Sequence, residues 1–171
     1  ILFEDGLPVF FKQKRVGADY TFFHIYKFRS MKKNTPNVAT HLLVNPEQYV
    51  LKIGRILRKL SLDELPNLIN ILKGEMVFVG PRPALYNQDD LMQLRVEAGV
   101  DSLIPGLTGW AQVNGRNTVG WKDKFKLDVW YVDHLSFSLD FKIIMLTLKK
   151  VLVREGISST TSATMEKFTG E

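Results

Sequence analysis

The 171-residue chain contains no cysteine, so disulfides, thiolate metal sites and cysteine nucleophiles are excluded. Its three histidines, His24, His41 and His134, lie far apart in sequence and form no compact zinc motif. No run approaches the roughly 20 apolar residues of a membrane-spanning helix, and no signal-peptide pattern is present. Neither GxxxxGK[ST], GxGxxG nor GxSxG occurs, which removes support for P-loop, Rossmann and α/β-hydrolase readings. No internal repeat is visible. Hydrophobic residues make up 45% and charged residues 24%, a balance that excludes collagen-like, mucin-like and wholly disordered chains.

What is present is unevenly distributed. The net charge of +5 divides into +7 over residues 1–61 and −2 over residues 62–171. A basic first third suits an anionic partner such as a nucleotide, a nucleic acid or a membrane surface, and equally a solvated basic face.

The patterning predicts an α+β fold: one small domain over residues 1–157 and a polar tail over 158–171. Aromatic and β-branched residues in Val9–Val16 and Tyr20–Phe28, separated by Gly17-Ala18-Asp19, predict a β-hairpin. Residues 32–46 read as a loop, and Gln48–Leu60 as a helix weakened by Gly54. Ser61-Leu62-Asp63-Glu64 matches a capping box, followed by the apolar stripe Leu62, Leu65, Leu68, Ile69 and Leu72. Met76–Val79 and Trp110–Val113 are strand-like. Residues 87–98 and 121–132 are helical in pattern. Leu139–Val153 predicts an amphipathic helix that packs on the core or lies at a bilayer interface, with Lys142, Lys149 and Lys150 on one side.

Two sets of residues can carry chemistry. The first is Asp63-Glu64, which the capping box places in a first helical turn. There the helix dipole would hold a carboxylate ionised, fit to attack phosphorus or hold a hard cation. Taken alone, the pair is more readily a helix cap. The second is Arg55, Arg58, Arg82 between Pro81 and Pro83, and Arg116 after Asn114-Gly115, with Lys27 and Arg29 beside them. A guanidinium matches phosphate oxygens bidentately, and rigid flanks lower the cost of ordering it.

The ordered segments PVFFKQKRVG (8–17), FHIYKFRSM (23–31), GRILRKLSLDELPNLINILKGEM (54–76), VGPRPAL (79–85), PGLTGWAQVNGR (105–116) and DVWYVD (128–133) together resemble the bacterial sugar transferases, the monotopic phosphoglycosyl transferases. The resemblance implies transfer of a sugar phosphate from a UDP-sugar, with N-acetylated sugars as one option, to a polyprenol phosphate such as undecaprenyl phosphate. UMP is released, and a capsule, O-antigen or glycoprotein glycan is begun. It implies a ping-pong mechanism with Mg²⁺, Asp63 as nucleophile and Glu64 as a metal ligand. It also implies phosphate or nucleotide contacts from Arg82 and Arg116, and further substrate contacts from Lys27, Arg29, Arg58, Gln112 and Asp128. It places the protein at the cytoplasmic face of the bacterial inner membrane, through a re-entrant helix expected ahead of Ile1. No nucleic-acid partner is expected. The alternative is a noncatalytic basic module that binds anionic lipid or nucleic acid.

Overall fold

The computed structural model describes residues 1–36, 43, 45–115 and 120–153. Arg116 and the 158–171 tail lie outside them. Among the described residues the architecture is α+β, with seven helices and two two-stranded sheets. α1 (Leu2–Asp5) leads into the hairpin of β1 (Phe10–Val16) and β2 (Phe22–Phe28). Its antiparallel register pairs Phe10 with Phe28 and Val16 with Phe22. Strand alternation sends Phe23 and Ile25 inward, where they pack with Met76 and Ile71.

α2 (Lys52–Lys59) is shorter than the pattern predicts, because Pro46–Tyr49 forms a separate 3₁₀ turn. Its first N–H groups are satisfied from a distance. The Glu4 carboxylate accepts from the Lys52 and Ile53 amides at 2.6 and 3.1 Å, replacing the local cap that the helix lacks.

Gly54 is a packing requirement rather than a weakness. A Cβ there would collide with the Ser30 carbonyl oxygen. Helix propensity alone makes Gly54→Ala stabilising by about 1 kcal/mol. The contact instead predicts a loss of about 2 kcal/mol from overpacking, measurable as a lowered urea midpoint at unchanged m-value.

The expected capping box does not form. Ser61 adopts a left-handed conformation (φ 55°, ψ 21°) and its side chain makes no cap hydrogen bond. Leu62–Asn67 continues as a 3₁₀ segment, and only then does α3 (Leu68–Leu72) begin. Pro66 supplies no N–H to an α-helical ladder at this point, and the Glu64 side chain is drawn to basic partners instead of back to Ser61. The apolar stripe is not core either. Leu62, Leu65, Leu68 and Ile69 are exposed, and Leu72 is 88% exposed.

β3 (Val77–Val79) pairs in parallel with β4 (Gly106–Thr108). Gly106 lies so close to Gly80 that a side chain would strike its backbone. Between these strands stands α4 (Asp89–Glu97), whose Leu91 and Met92 pack with Val16 and Ala84. The strand predicted at 110–113 is helical, α5 (Trp110–Gly115). Val113, one turn on from Trp110, packs with Tyr131, Leu139 and Ile143. That helix-spaced packing overrides the extended preference of Trp and Val. α6 (Trp121–Asp133) and α7 (Phe137–Val153) complete the fold. α7 buries Leu139 and Ile143 and leaves Phe137, Phe141, Met145, Leu148 and Leu152 exposed. One side of this helix packs on the core, as expected, and another presents apolar surface. No helix of the described residues is long and apolar enough to cross a membrane.

Candidate active site

Lys27 is the third inward-facing position of β2, after Phe23 and Ile25, so the hairpin delivers it to the 3₁₀ segment. Its Nζ donates to Glu64 Oε1 at 2.6 Å. Arg82 Nη2 donates to the same oxygen at 2.9 Å. The chain just ahead of Arg82 is held twice: the Gly80 amide donates to Thr108 O at 2.9 Å, and the Gly106 amide to Pro81 O at 2.9 Å. Rigid prolines and these backbone bonds restrict the main chain that carries the guanidinium.

Glu64 is thus a carboxylate under two cations, with 23% of its side chain exposed. Burial alone would raise its pKa, but Arg82 and Lys27, as charges and as donors, hold it well below the usual carboxylate range. Lys27 is pushed down, chiefly by burial and in part by the Arg82 charge, against the pull of Glu64.

Asp63 is in a different state. No described cation lies within ion-pair distance of it. Burial first, and the adjacent Glu64 charge second, raise its pKa, outweighing the fields of Lys27 and Arg58. This reverses the expected depression by a helix dipole: the element here is a short 3₁₀ segment, and desolvation dominates. Arg58 on α2 donates from Nε to Ser30 Oγ at 2.8 Å; burial lowers its pKa, against the pull of the Asp63 charge.

The structure therefore brings together Asp63, Glu64, Lys27, Arg82 and Arg58. Arg29 is directed elsewhere. Its guanidinium pairs with Asp5 and donates to the carbonyls of Pro8, at 2.6 Å, Gly6 and Asp5. It ties α1 to the end of the hairpin. Asp128 is buried against Arg95 Nη2 at 3.0 Å, and burial raises its pKa despite that partner. Gln112 on α5 has both amide atoms buried without a hydrogen-bond partner among the described residues.

Three cations were not singled out by sequence. Lys124 on α6 senses both Arg82 and Asp128, and burial, with help from Arg82, lowers its pKa to about 8. Arg95 clamps Asp128. Arg15 lines the same small cavity as Lys27, Glu64, Asn67 and Arg82. A readable signal existed for Arg15, because Gln13, Arg15, Phe23, Ile25 and Lys27 share one face of the hairpin.

Arg15, Lys27, Arg58 and Arg82 stand against Asp63 and Glu64, an excess of two positive charges around a partly buried site. Such an excess calls for an anion of matching charge. Mg²⁺ is commonly held by one or two carboxylates plus substrate phosphates. The adjacent Asp63 and Glu64 fit that donor set: both cations meet Glu64 at Oε1, and no described residue donates to Oε2. Among the described residues no group of three or more His, Asp or Glu could hold a metal by itself, so the substrate would supply the remaining oxygens.

Residues 1–154 match the family model described as bacterial sugar transferase. An uncharacterized sugar transferase of Bacillus subtilis strain 168, EpsL, is 51% identical over 167 residues, covering 96% of the chain and 80% of EpsL. The undecaprenyl-phosphate galactose phosphotransferase of Salmonella typhimurium strain LT2 is 40% identical over 170 residues, 89% of the chain and 35% of that protein. The undecaprenyl-phosphate glucose phosphotransferase of Komagataeibacter xylinus is 40% identical over 154 residues, 84% of the chain and 29% of that protein. The chain thus spans most of EpsL but only about a third of the two named phosphotransferases.

Proposed function

The chain belongs to the bacterial sugar transferase family, and from its site we propose that it is a phosphoglycosyl transferase acting through Asp63. In the first step an Asp63 carboxylate oxygen attacks the sugar-bearing phosphorus of a UDP-sugar. An acyl phosphate bond forms, the bond from that phosphorus to the bridging oxygen breaks, and UMP leaves with the bond's electron pair. In the second step an oxygen of a polyprenol phosphate attacks the same phosphorus. The Asp63 carboxylate is regenerated, and the product is a sugar diphosphate-linked polyprenol.

The observation that carries this reading is the division of labour between adjacent acids. Glu64 is neutralised by Lys27 and Arg82, whereas Asp63 is held without an ion pair, as an attacking carboxylate must be. Arg82 and Lys27 stand where charge develops on the transferring phosphoryl group. Glu64, through Oε2, would hold Mg²⁺ with Asp63 close by, and a bound Mg²⁺ would neutralise phosphate charge. Undecaprenyl phosphate is the acceptor named in two of the relatives, and the galactose and glucose of those names are first candidates for the transferred sugar.

The site also meets a lipid on favourable terms. The exposed run Leu62, Leu65, Leu68, Ile69 and Leu72 starts beside Asp63, and Lys52, Arg55, Lys59 and Lys73 flank it. Apolar surface edged by cations suits an anionic bilayer face, here the cytoplasmic leaflet, at which a polyprenol phosphate can reach Asp63.

Intact-mass spectrometry tests the reading. The protein is incubated with Mg²⁺ and, separately, UDP-galactose, UDP-glucose and UDP-N-acetylgalactosamine, without acceptor. One of them is expected to add a single sugar phosphate, mapped by peptide analysis to Asp63, with one equivalent of UMP released. Turnover with acceptor but no adduct on Asp63 would overturn the covalent step.

A further inference from the structure

Arg15 occupies a costly position. It stands on the inward face of β1, and its Nη1 donates to Pro83 O at 3.0 Å while Nη2 donates to Gln13 Oε1 at 2.6 Å. The backbone around it is joined to the same segment: Arg15 bridges to Leu85, and the Val16 amide donates to Ala84 O at 3.0 Å. Its Nε is buried with no acceptor among the described residues, and no described carboxylate forms an ion pair with it. Burial, and the nearby Arg82 charge after it, lower its pKa to about 9. A neutral side chain would satisfy the Pro83 carbonyl without those penalties.

Resting on the transfer reading, we infer that Arg15 is a positioning residue: it holds the Pro81–Pro83 segment so that the Arg82 guanidinium stays seated on Glu64. The planar fork matters. It spans a backbone carbonyl on one prong and Gln13 on the other, and a lysine ammonium, as a point donor, cannot hold both. Arg82 is 49% exposed, so its own packing does little to fix it. The order imposed on the residue after it has to come from behind, where Arg15 lies.

Arg15→Lys keeps the charge and loses the fork. With whichever UDP-sugar forms the adduct, kcat/KM is expected to fall about tenfold or more while the melting temperature changes little. Coupling separates positioning from a general structural role. The double variant Arg15→Lys/Arg82→Lys is expected to be no slower than Arg82→Lys alone, since residues acting as a unit are non-additive. Fully additive losses would overturn the inference.

A second readout needs neither nucleotide nor metal. By ¹⁵N NMR of the apo protein, the Arg82 guanidinium is expected to rotate faster about its Nε–Cζ bond in Arg15→Lys than in the unsubstituted chain, because the segment that carries it has loosened. Unchanged Arg82 signals would overturn the inference even if no UDP-sugar reacts, whereas a missing adduct with altered Arg82 signals would count against the transfer reading alone. Should Arg15→Lys fail to fold, Gln13→Leu releases only the outer prong and is expected to change the Arg82 signals in the same direction.

Discussion

Asp63→Asn is expected to abolish sugar-phosphate transfer, by at least about 10³-fold in kcat, while leaving the melting temperature at neutral pH equal to or above that of the unsubstituted chain. The first half follows from chemistry: an amide oxygen does not form a stable acyl phosphate, so neither adduct nor UMP should appear. The second half follows from the surroundings of Asp63. Burial and the Glu64 charge raise its pKa from the ordinary 3.8. A carboxyl whose folded-state pKa is raised binds its proton more tightly in the folded state than in the unfolded state. Its contribution is most favourable below the unfolded value and is lost as pH rises through the folded value. At neutral pH the ionised Asp63 is therefore a burden on the fold, which a neutral amide relieves. The gain in stability should shrink as pH falls toward and below about 4, where the native carboxyl is itself protonated. A rate profile follows the same group: the acid limb of kcat/KM should lie at higher pH than an unperturbed aspartate would give. The opposing reading, that Asp63 merely caps a helix, requires the reverse sign, since loss of a cap lowers stability by about 1 kcal/mol. Thermal melts at pH 7 and pH 4 with a UMP-release assay separate the two. A clear fall in melting temperature at pH 7 would sink the nucleophile's proposed environment, and normal turnover would sink the nucleophile.

The location of this site was legible in the sequence, but its construction was not. The adjacent acids, Arg82 between prolines and the hairpin that carries Lys27 all stand where patterning placed them. Strand alternation is a strong local rule, and Phe23 and Ile25 obey it. The capping box failed because its four-residue signature is also what a 3₁₀ segment containing proline can carry. What decides the matter are partners 37 and 18 residues from Glu64. α2 is capped by Glu4, 48 residues from Lys52, which no local pattern encodes. Gly54 read as a weak point, because the Ser30 carbonyl that excludes a side chain is invisible until the hairpin folds onto the helix. The helix at 110–115 was hidden by residues of extended preference, whose helical spacing is enforced only by α6 and α7. Arg29 shows the converse: its place within the FHIYKFRSM segment suggested the site, yet its donors are consumed by Asp5 and nearby carbonyls. Local periodicity therefore placed the candidate residues on their elements, and long-range ion pairs decided which of them meet.

Glu64→Gln is expected to lower turnover about 10²-fold or more and, unlike Asp63→Asn, to lower stability as well. Lys27 and Arg82 would face a neutral amide where they now share one carboxylate oxygen. Lys27, with only 17% of its side chain exposed, would lose the charge that favours its ammonium form. Removing one partner of a fully buried pair costs about 3–5 kcal/mol. Here Arg82 is half exposed and water can take up part of its charge, so a loss of about 1–3 kcal/mol is expected at pH 7. The pH dependence is opposite in sign to that of Asp63. Glu64 has its folded-state pKa held well below the ordinary 4.5, so its stabilisation is present above that value and is lost as pH falls through the folded one. The difference between Glu64→Gln and the unsubstituted chain should therefore be full at pH 7 and close progressively below about pH 4.5. Restoring the carboxylate one methylene shorter, in Glu64→Asp, should recover part of the stability, because an ion pair with at least one of the two cations can re-form. It should recover less of the turnover, because in the proposed transfer both Lys27 and Arg82 must be placed to meet the phosphoryl group. Equal recovery of both would mean that Glu64 serves only as a counter-charge and that its geometry plays no part in the transfer.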